Sequence, residues 1–458
     1  MPHSTIFLVL LGIALLAFYA GQRKIHHLAL VSAHKQHSRS VFHGNYVALW
    51  TVLPAILILF GWISLSPLLL DYNLSQYLAQ YDIQGADRSL TAARVFSFVS
   101  GSLDASIASD VELGAVDYIN AWQLRYERYV TLLIAASIAV GFMWALRRVS
   151  VRFTARHHIE RLTLIVMIIA SIIAILTTIG IILSLLFETL RFFETVPVSE
   201  FLTGLKWSPQ MAIRADQAGS SGAFGAVPLF AGTLLITFLA MCVAVPIGVM
   251  TAIYLSEYAT ASVRSIVKPA LELLAGIPTV VYGFFAAIVV APLLRDGGAH
   301  LGLAVSSESA LAAGLVMGIM IIPFVSSLSD DVIRAVPQTL RDGSSALGAT
   351  SAETIRQVVL PAALPGIVSA ILLAISRAIG ETMIVVMAAG VAANLTANPL
   401  ESVTTITVQI VMLLVGDQEF DSPKTLAAFA LGMLLFLVTL TLNVIALYVV
   451  RRFREEYE

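Results

Sequence analysis

Nine apolar runs, each long enough to cross a bilayer, constrain this chain before anything else in it does. A span needs about 20 mostly apolar residues at 1.5 Å of rise each. The runs lie at 4–20, 46–70, 129–146, 162–187, 228–254, 270–294, 310–328, 365–390 and 425–450. They are continuous rather than alternating, so they read as helices and not as barrel strands. Of the 458 residues 58% are hydrophobic and only 12% charged, against roughly 25% charged in soluble domains. A water-soluble fold has no way to hide so much apolar surface. The expected fold class is an all-α polytopic membrane protein.

Orientation follows from where Lys and Arg fall, because cytoplasmic loops are enriched in them. The first run, "STIFLVLLGIALLAFYA", has no basic residue before it, while Arg23 and Lys24 follow. A secretory signal carries its basic residues in front, so this run is read as a retained span with an external N-terminus. Arg23, Lys24, Lys35 and Arg39 follow the first span, "RRVSVRFTARHHIER" follows the third, and the C-terminal tail opens "RRFR". An external N-terminus and nine spans place all three on the cytoplasmic side. The segment 71–128 carries eight acids against four arginines and falls outside.

The chain divides lengthwise. Residues 1–160 form an N-terminal extension with three spans and the acidic external loop 71–128; residues 161–458 hold six spans and every distinctive motif. The lone Cys242 excludes an intrachain disulfide and any cysteine-based metal cluster. His26, His27, His34, His37 and His43 crowd the first cytoplasmic region, yet no carboxylate or cysteine stands among them to complete a metal site. They are expected to face solvent or lipid headgroups.

The loop 336–364 contains "VPQTLRDGSSALGATSAETIRQVVLPAALPG". Pro337 suits the opening of a helix, where an amide lacks a partner anyway. Gly348 suits the left-handed position that ends one. Thr350 and Glu353 form a T-x-x-E capping box for a second helix, expected to stop before Pro361. Asp330, Asp331 and Arg334 read as the polar shoulder of this loop, and Pro246, Pro278 and Pro292 as candidate kinks.

This pattern resembles the coupling loop of ABC importer permeases, of the form E-A-A-x3-G-x9-I-x-L-P. Asp342, Gly343 and Ser344 stand at the E-A-A positions, Gly348 at the glycine, Val358 at the isoleucine, and Leu360 and Pro361 at the L-P. Asp replaces Glu and Gly-Ser replaces Ala-Ala, and a helical glycine costs about 1 kcal/mol relative to alanine. Residues 221–259, "LELLAGIPTVVYGFF" (271–285) and "SRAIGETMIVVMAAG" (376–390) resemble phosphate importer permeases. "ETM" after "RAIG" is closer to the PstC type than to its partner type PstA, which is expected to read "ETAPL". The resemblance covers about 160–455; residues 1–160 look like an extension carried by only some members.

The resemblance implies a MetI-like core of six helices. It also implies a second permease subunit of PstA type, a cytoplasmic ATPase dimer docked on the loop, and a periplasmic phosphate-binding protein. The setting it implies is a bacterial inner membrane, with phosphate and lipid as ligands and no nucleic acid. The chain has no G-x-x-x-x-G-K-[ST] loop, so no cofactor of its own is expected and ATP is used by the partner.

Arg377 and Glu381, four residues apart in the eighth run, are expected to pair on one helical face. Ionisable groups at membrane depth are rare and usually line a pathway. One reading is an ion pair that only orients the helix. The other has Arg377 meeting a passing oxyanion and Glu381 holding it between cycles, with arginine's planar fork suited to phosphate. Another oxyanion (sulfate, molybdate or phosphonate), a secondary transporter or channel, and a signalling scaffold remain as alternatives.

Overall fold

The computed structural model describes residues 3–31, 37–81, 85–99, 102–103, 107–211, 221–415 and 422–453. His34, Lys35, Asp82, Asp104 and Arg454, used above, lie outside the described residues. Nine helices among the described residues are long and apolar enough to span a membrane. Residues Met1–Ile175 form one compact unit and Leu176–Glu458 another.

In the first unit α1 (His3–Val31), α2 (Ser40–Ala79) and α4 (Asp110–Arg148) are long helices. Nothing between Asp71 and Ala79 is Gly or Pro, so α2 continues past its apolar stretch. The acidic segment is therefore chiefly helix and not an open loop. A shorter helix, α3 (Gly85–Val99), packs there through Val95 against Leu74, Leu78, Ala115 and Ile119. α4 opens on a capping box: Glu112 Oε2 accepts from the Ser109 amide at 2.7 Å, and Ser109 Oγ accepts from the Glu112 amide at 3.3 Å. Arg94 neutralises the buried Glu112 at 3.2 Å. His43 departs from the expected solvated setting. It is fully buried, with its ring 6.0 Å from Phe153 and neither ring nitrogen hydrogen-bonded.

The second unit begins within α5 (Ala155–Thr195), followed by α6 (Val198–Thr203) and an antiparallel hairpin, β1 (Trp207–Met211) and β2 (Ser221–Phe224), in register at Trp207↔Phe224. Then come α7 (Val227–Ile253) with a π turn at Tyr254–Tyr258, and α8 (Ala261–Ala275). α9 (Thr279–Phe285), a π turn at Ala286–Val290 and α10 (Ala291–His300) form one continuous span. α11 (Ala310–Ala335) follows, then α12 (Gln338–Ala346). α13 (Ser351–Thr354), a π turn at Ile355–Val359 and α14 (Leu360–Ile379) form the next span. α15 (Met383–Ala388), α16 (Ile406–Leu414) and α17 (Pro423–Phe453) complete the chain.

Within the second unit α11 is the most buried span, its apolar stretch 61% buried where no other span among the described residues exceeds 33%. Gly314 and Gly318 let it approach α7 closely. A Cβ on Gly314 would stand 2.6 Å from the Leu239 Cβ, and one on Gly318 would stand 2.8 Å from the Val243 Cβ. Small residues spaced by four are how membrane helices reach backbone contact.

The run 270–294 is broken at Pro278, one of the candidate kinks: α8 ends at Gly276 and a new helix starts after Pro278, whose φ of −57° and ψ of 136° leave the helical region. Two expectations are corrected. The run 365–390 breaks at Gly380–Thr382, leaving α15 too short to cross. The helix after the elbow does not stop before Pro361. It runs on through the π turn, in which the Leu360 amide bonds the Ile355 carbonyl. Proline supplies no amide and clashes with the carbonyl four residues back, and the wider turn accommodates both. Pro292 follows the π turn at 286–290 in the same way.

Candidate functional site

Two places carry the chemistry that the sequence singled out. The first is the break after α14. Arg377 lies in the last turn of α14, where the helix C-terminus favours a cation, rather than at the centre of a continuous span. Glu381 lies beyond the break and is not its partner: among the described residues no ion pair joins them. Glu381 Oε1 instead accepts from the amides of Met383 at 3.0 Å and Ile384 at 3.3 Å, holding the start of α15. Gly380 ended the helix before the i,i+4 geometry could form. Arg377 is exposed on this chain, its guanidinium 5.5 Å from the centre of the Phe324 ring.

Sequence reasoning missed the polar network beside this break. The Thr407 hydroxyl donates to the Glu381 carbonyl at 3.0 Å, and the Ile406 amide donates to Thr233 Oγ1 at 3.2 Å. Gln409 Nε2 donates to the Val391 carbonyl at 3.0 Å, while its Oε1 accepts from Trp207 Nε1 at 2.9 Å. Thr404, Thr405, Thr407 and Gln409 are all buried. The signal was present: "VTTITVQ" is the one stretch between the last two spans that is apolar yet carries a hydroxyl or amide at alternate positions.

The second place is the loop between α11 and α14. Gly348 has φ +88°, the left-handed value that the sequence assigned to it, and a Cβ there would meet nothing within 4 Å. Thr350 caps α13, its Oγ1 accepting from the Glu353 amide while Glu353 Oε2 accepts from the Thr350 amide at 2.8 Å. Asp342 accepts from Gln338 Nε2 at 3.0 Å, and Ser344 Oγ meets Thr354 Oγ1 at 2.9 Å. Val358 is half-buried in the π turn; Leu360 and Pro361 open α14. Asp342, Gly343 and Gly348 are exposed, and Leu347 projects at the elbow with 91% of its surface free. The outcome is a capped helix pair with an exposed apolar tip.

Beneath this loop lie charges that were read only as a polar shoulder. Asp330, 1% exposed, accepts from Arg264 Nη2 at 2.9 and 2.7 Å and from Lys268 Nζ at 2.9 Å. Lys268 also meets Asp331 at 3.3 Å. The bond to Asp330 holds the Lys268 ammonium above the usual lysine range. Breaking a buried pair by removing one partner costs about 3–5 kcal/mol, so this cluster fixes α8 against α11.

Residues 244–455 match the model of the binding-protein-dependent transport system inner membrane component. The fold and this match define the class as the membrane permease component of a binding-protein-dependent ABC transporter. Residues 6–177 match a second model, described as phosphate ATP-binding cassette transporter. The chain is 32% identical over 240 residues to the probable ABC transporter permease protein YqgH of Bacillus subtilis, covering 52% of this chain and 74% of that one. It is 31% identical over 270 residues to the phosphate transport system permease protein PstC of Mesorhizobium japonicum, covering 55% and 78%. With PstC 1 of Mycobacterium tuberculosis the identity is 33% over 280 residues, covering 55% and 81%. The chain belongs to the family of phosphate transport permeases.

Proposed function

We propose that this chain is the membrane permease subunit through which an ATP-driven importer moves inorganic phosphate into the cytoplasm. The observation that carries the ATP-driven half is the exposed elbow at Leu347 and Gly348, a capped projection on a chain whose sequence shows no phosphate loop. A short helix joined at both ends to spans acts as a lever in a way that a floppy loop does not. The choice of phosphate rests on relatives named for phosphate transport and on Arg377, an exposed guanidinium at a helix break beside a polar network. Discontinuous helices at membrane depth are where transporters place their substrate sites.

In this reading a PstA-type permease covers the face that bears Arg377, and an ATPase dimer docks on residues 336–364. A periplasmic phosphate-binding protein delivers the ion. The N-terminus is external, the C-terminus cytoplasmic, and the membrane is a bacterial inner membrane. Labelled phosphate uptake in vesicles reconstituted with these partners tests it. Uptake should require ATP and be competed by unlabelled phosphate but not by sulfate or molybdate. Equal competition by sulfate overturns the choice of phosphate, and uptake without ATP overturns the class.

A further inference from the structure

Arg341 carries more bonds than any other side chain of the coupling loop, and it points away from the exposed elbow. Its Nη2 donates to Glu257 Oε1 at 2.9 Å and to the Ile333 carbonyl at 2.9 Å; its Nη1 donates to the Val336 carbonyl at 2.5 Å. The two side chains are only 16% and 13% exposed. One guanidinium therefore ties three elements together: α12, on which it sits, the C-terminal end of α11, and the π turn that closes α7.

That π turn is gripped from its other side as well. Arg264 of α8 donates through Nη1 to the Leu255 carbonyl at 3.3 Å, while its Nη2 holds Asp330 of α11. Guanidinium bonds from α12 and from α8 thus meet on one π turn, the first at the Glu257 carboxylate and the second at the Leu255 carbonyl. Nothing in a purely anchoring role requires the carboxylate to sit in a π turn. π turns are an inserted residue within a helix, and they recur at functional sites. A second π turn, Ile355–Val359, flanks the loop on the opposite side, tied to α12 by Ser344 and Thr354. Leu340 of α12 packs on the cluster of Ala252, Ile333, Val359 and Ala363, which joins the cytoplasm-proximal ends of α7, α11 and α14.

We propose that the Arg341–Glu257 pair is the positioning latch that carries motion of the coupling helix into the base of α7 and on to α8. The inference rests on reading 336–364 as the ATPase-docking loop. Arg341 and Glu257 touch neither the substrate nor ATP in this account; they act by fixing how far α12 moves before α7 must follow. Coupling carried through packed networks responds to mutation by a few-fold to a few tens-fold.

The test uses the full chain reconstituted in vesicles with its partner permease, the ATPase and the phosphate-binding protein. Co-purification of the ATPase, its hydrolysis rate and labelled phosphate carried per ATP are measured for Glu257→Gln, Arg341→Gln and the double variant. Glu257→Gln keeps its shape and leaves the two carbonyl bonds of Arg341 in place, so it is the variant safest for folding. Each single variant should retain the docked ATPase and its hydrolysis while phosphate per ATP falls about tenfold. The double variant should be no worse than either single one, because the two residues act as a unit. A native ratio in Glu257→Gln overturns the latch, as do losses that multiply in the double variant. Release of the ATPase by Arg341→Gln also overturns it, since that side chain would then be holding the docking surface. The docking reading itself fails on a different result, namely an ATPase that stays bound and coupled when residues 342–350 are replaced by an unstructured linker.

Discussion

Arg377 sits where the carbonyls ending α14 already favour a cation, so its insertion cost is lower than for a charge at the centre of a span. That position still leaves its donors free for a ligand, because no carboxylate of this chain takes them among the described residues. Arg377→Gln should insert and assemble normally but lose roughly 10- to 150-fold in phosphate uptake, the scale of about 1.5–3 kcal/mol for a bond to a charged group. Glu381→Gln separates the two roles: it keeps the Oε1 acceptor for Met383 and Ile384, so uptake should stay near native. Native uptake in Arg377→Gln would leave the arginine without a substrate role. Gly348→Val makes a second single-residue test. A β-branched residue at φ +88° costs about 1–2 kcal/mol although the space around it is open. ATP hydrolysis should persist while phosphate carried per ATP falls, and a native ratio would show that the elbow is not the lever. The elbow was legible because a glycine beside a capping box is a local signal. The Arg377–Glu381 pairing was misread because Gly380, one glycine in an apolar run, is a weak stop in a membrane helix, and only the fold shows that it acts as one.

The spans were legible from hydropathy alone, since a bilayer fixes their length and composition. Their ends were not, and the reason differs from element to element. Residues 270–275 looked like the start of a span because Leu271, Leu273 and Leu274 are apolar. Arg264, Lys268 and Glu272, spaced by four, mark instead the charged face of α8, and reading that spacing would have moved the span to Thr279. The continuation through Pro361 was not readable, because a π turn that absorbs a proline leaves no compositional trace. The contact between α7 and α11 gives the prediction at this scale. Gly318→Leu would drive a side chain into Val243 and the Ala240 carbonyl, where a Cβ alone would already stand at 2.8 and 2.9 Å. Overpacking of this kind costs about 1–3 kcal/mol. The detergent-extracted variant should aggregate at a lower temperature and give less folded protein. Gly180→Leu, with nothing within 4 Å, serves as the control and should behave as the native chain. Equal behaviour of the two would mean that the glycine contact does not set stability.

Nine spans among the described residues and a C-terminal tail that opens with Arg451 and Arg452 make the whole molecule's orientation a matter of parity, with α15 and α16 too short to alter it. Ser38 would be a poor place for a reporter, because it is buried with its Oγ accepting from the Arg156 amide, and a label there would be blocked from either side. Arg39 and Asn120 are exposed, so Arg39→Cys and Asn120→Cys in a Cys242→Ser background are the sounder pair. In intact cells an impermeant thiol reagent should reach position 120 and not position 39; the reverse pattern would invert the molecule. Parity also frames what the first unit is for. The second unit has apolar cores of its own, around Met317 and Ile321 and around Phe192, Phe201 and Phe224. A chain beginning at Arg156 keeps Arg156 and Arg161 ahead of its first apolar stretch, basic residues that favour the cytoplasmic side for that end. In the orientation proposed for the chain, removing three spans would move the N-terminus to the cytoplasm and leave the sense of every later span unchanged. The shortened chain should therefore insert, expose 336–364 to the cytoplasm and co-purify with the ATPase. Normal insertion without ATPase or partner permease in the purified complex would show that residues 1–155 are part of the assembly's structure and not an added module.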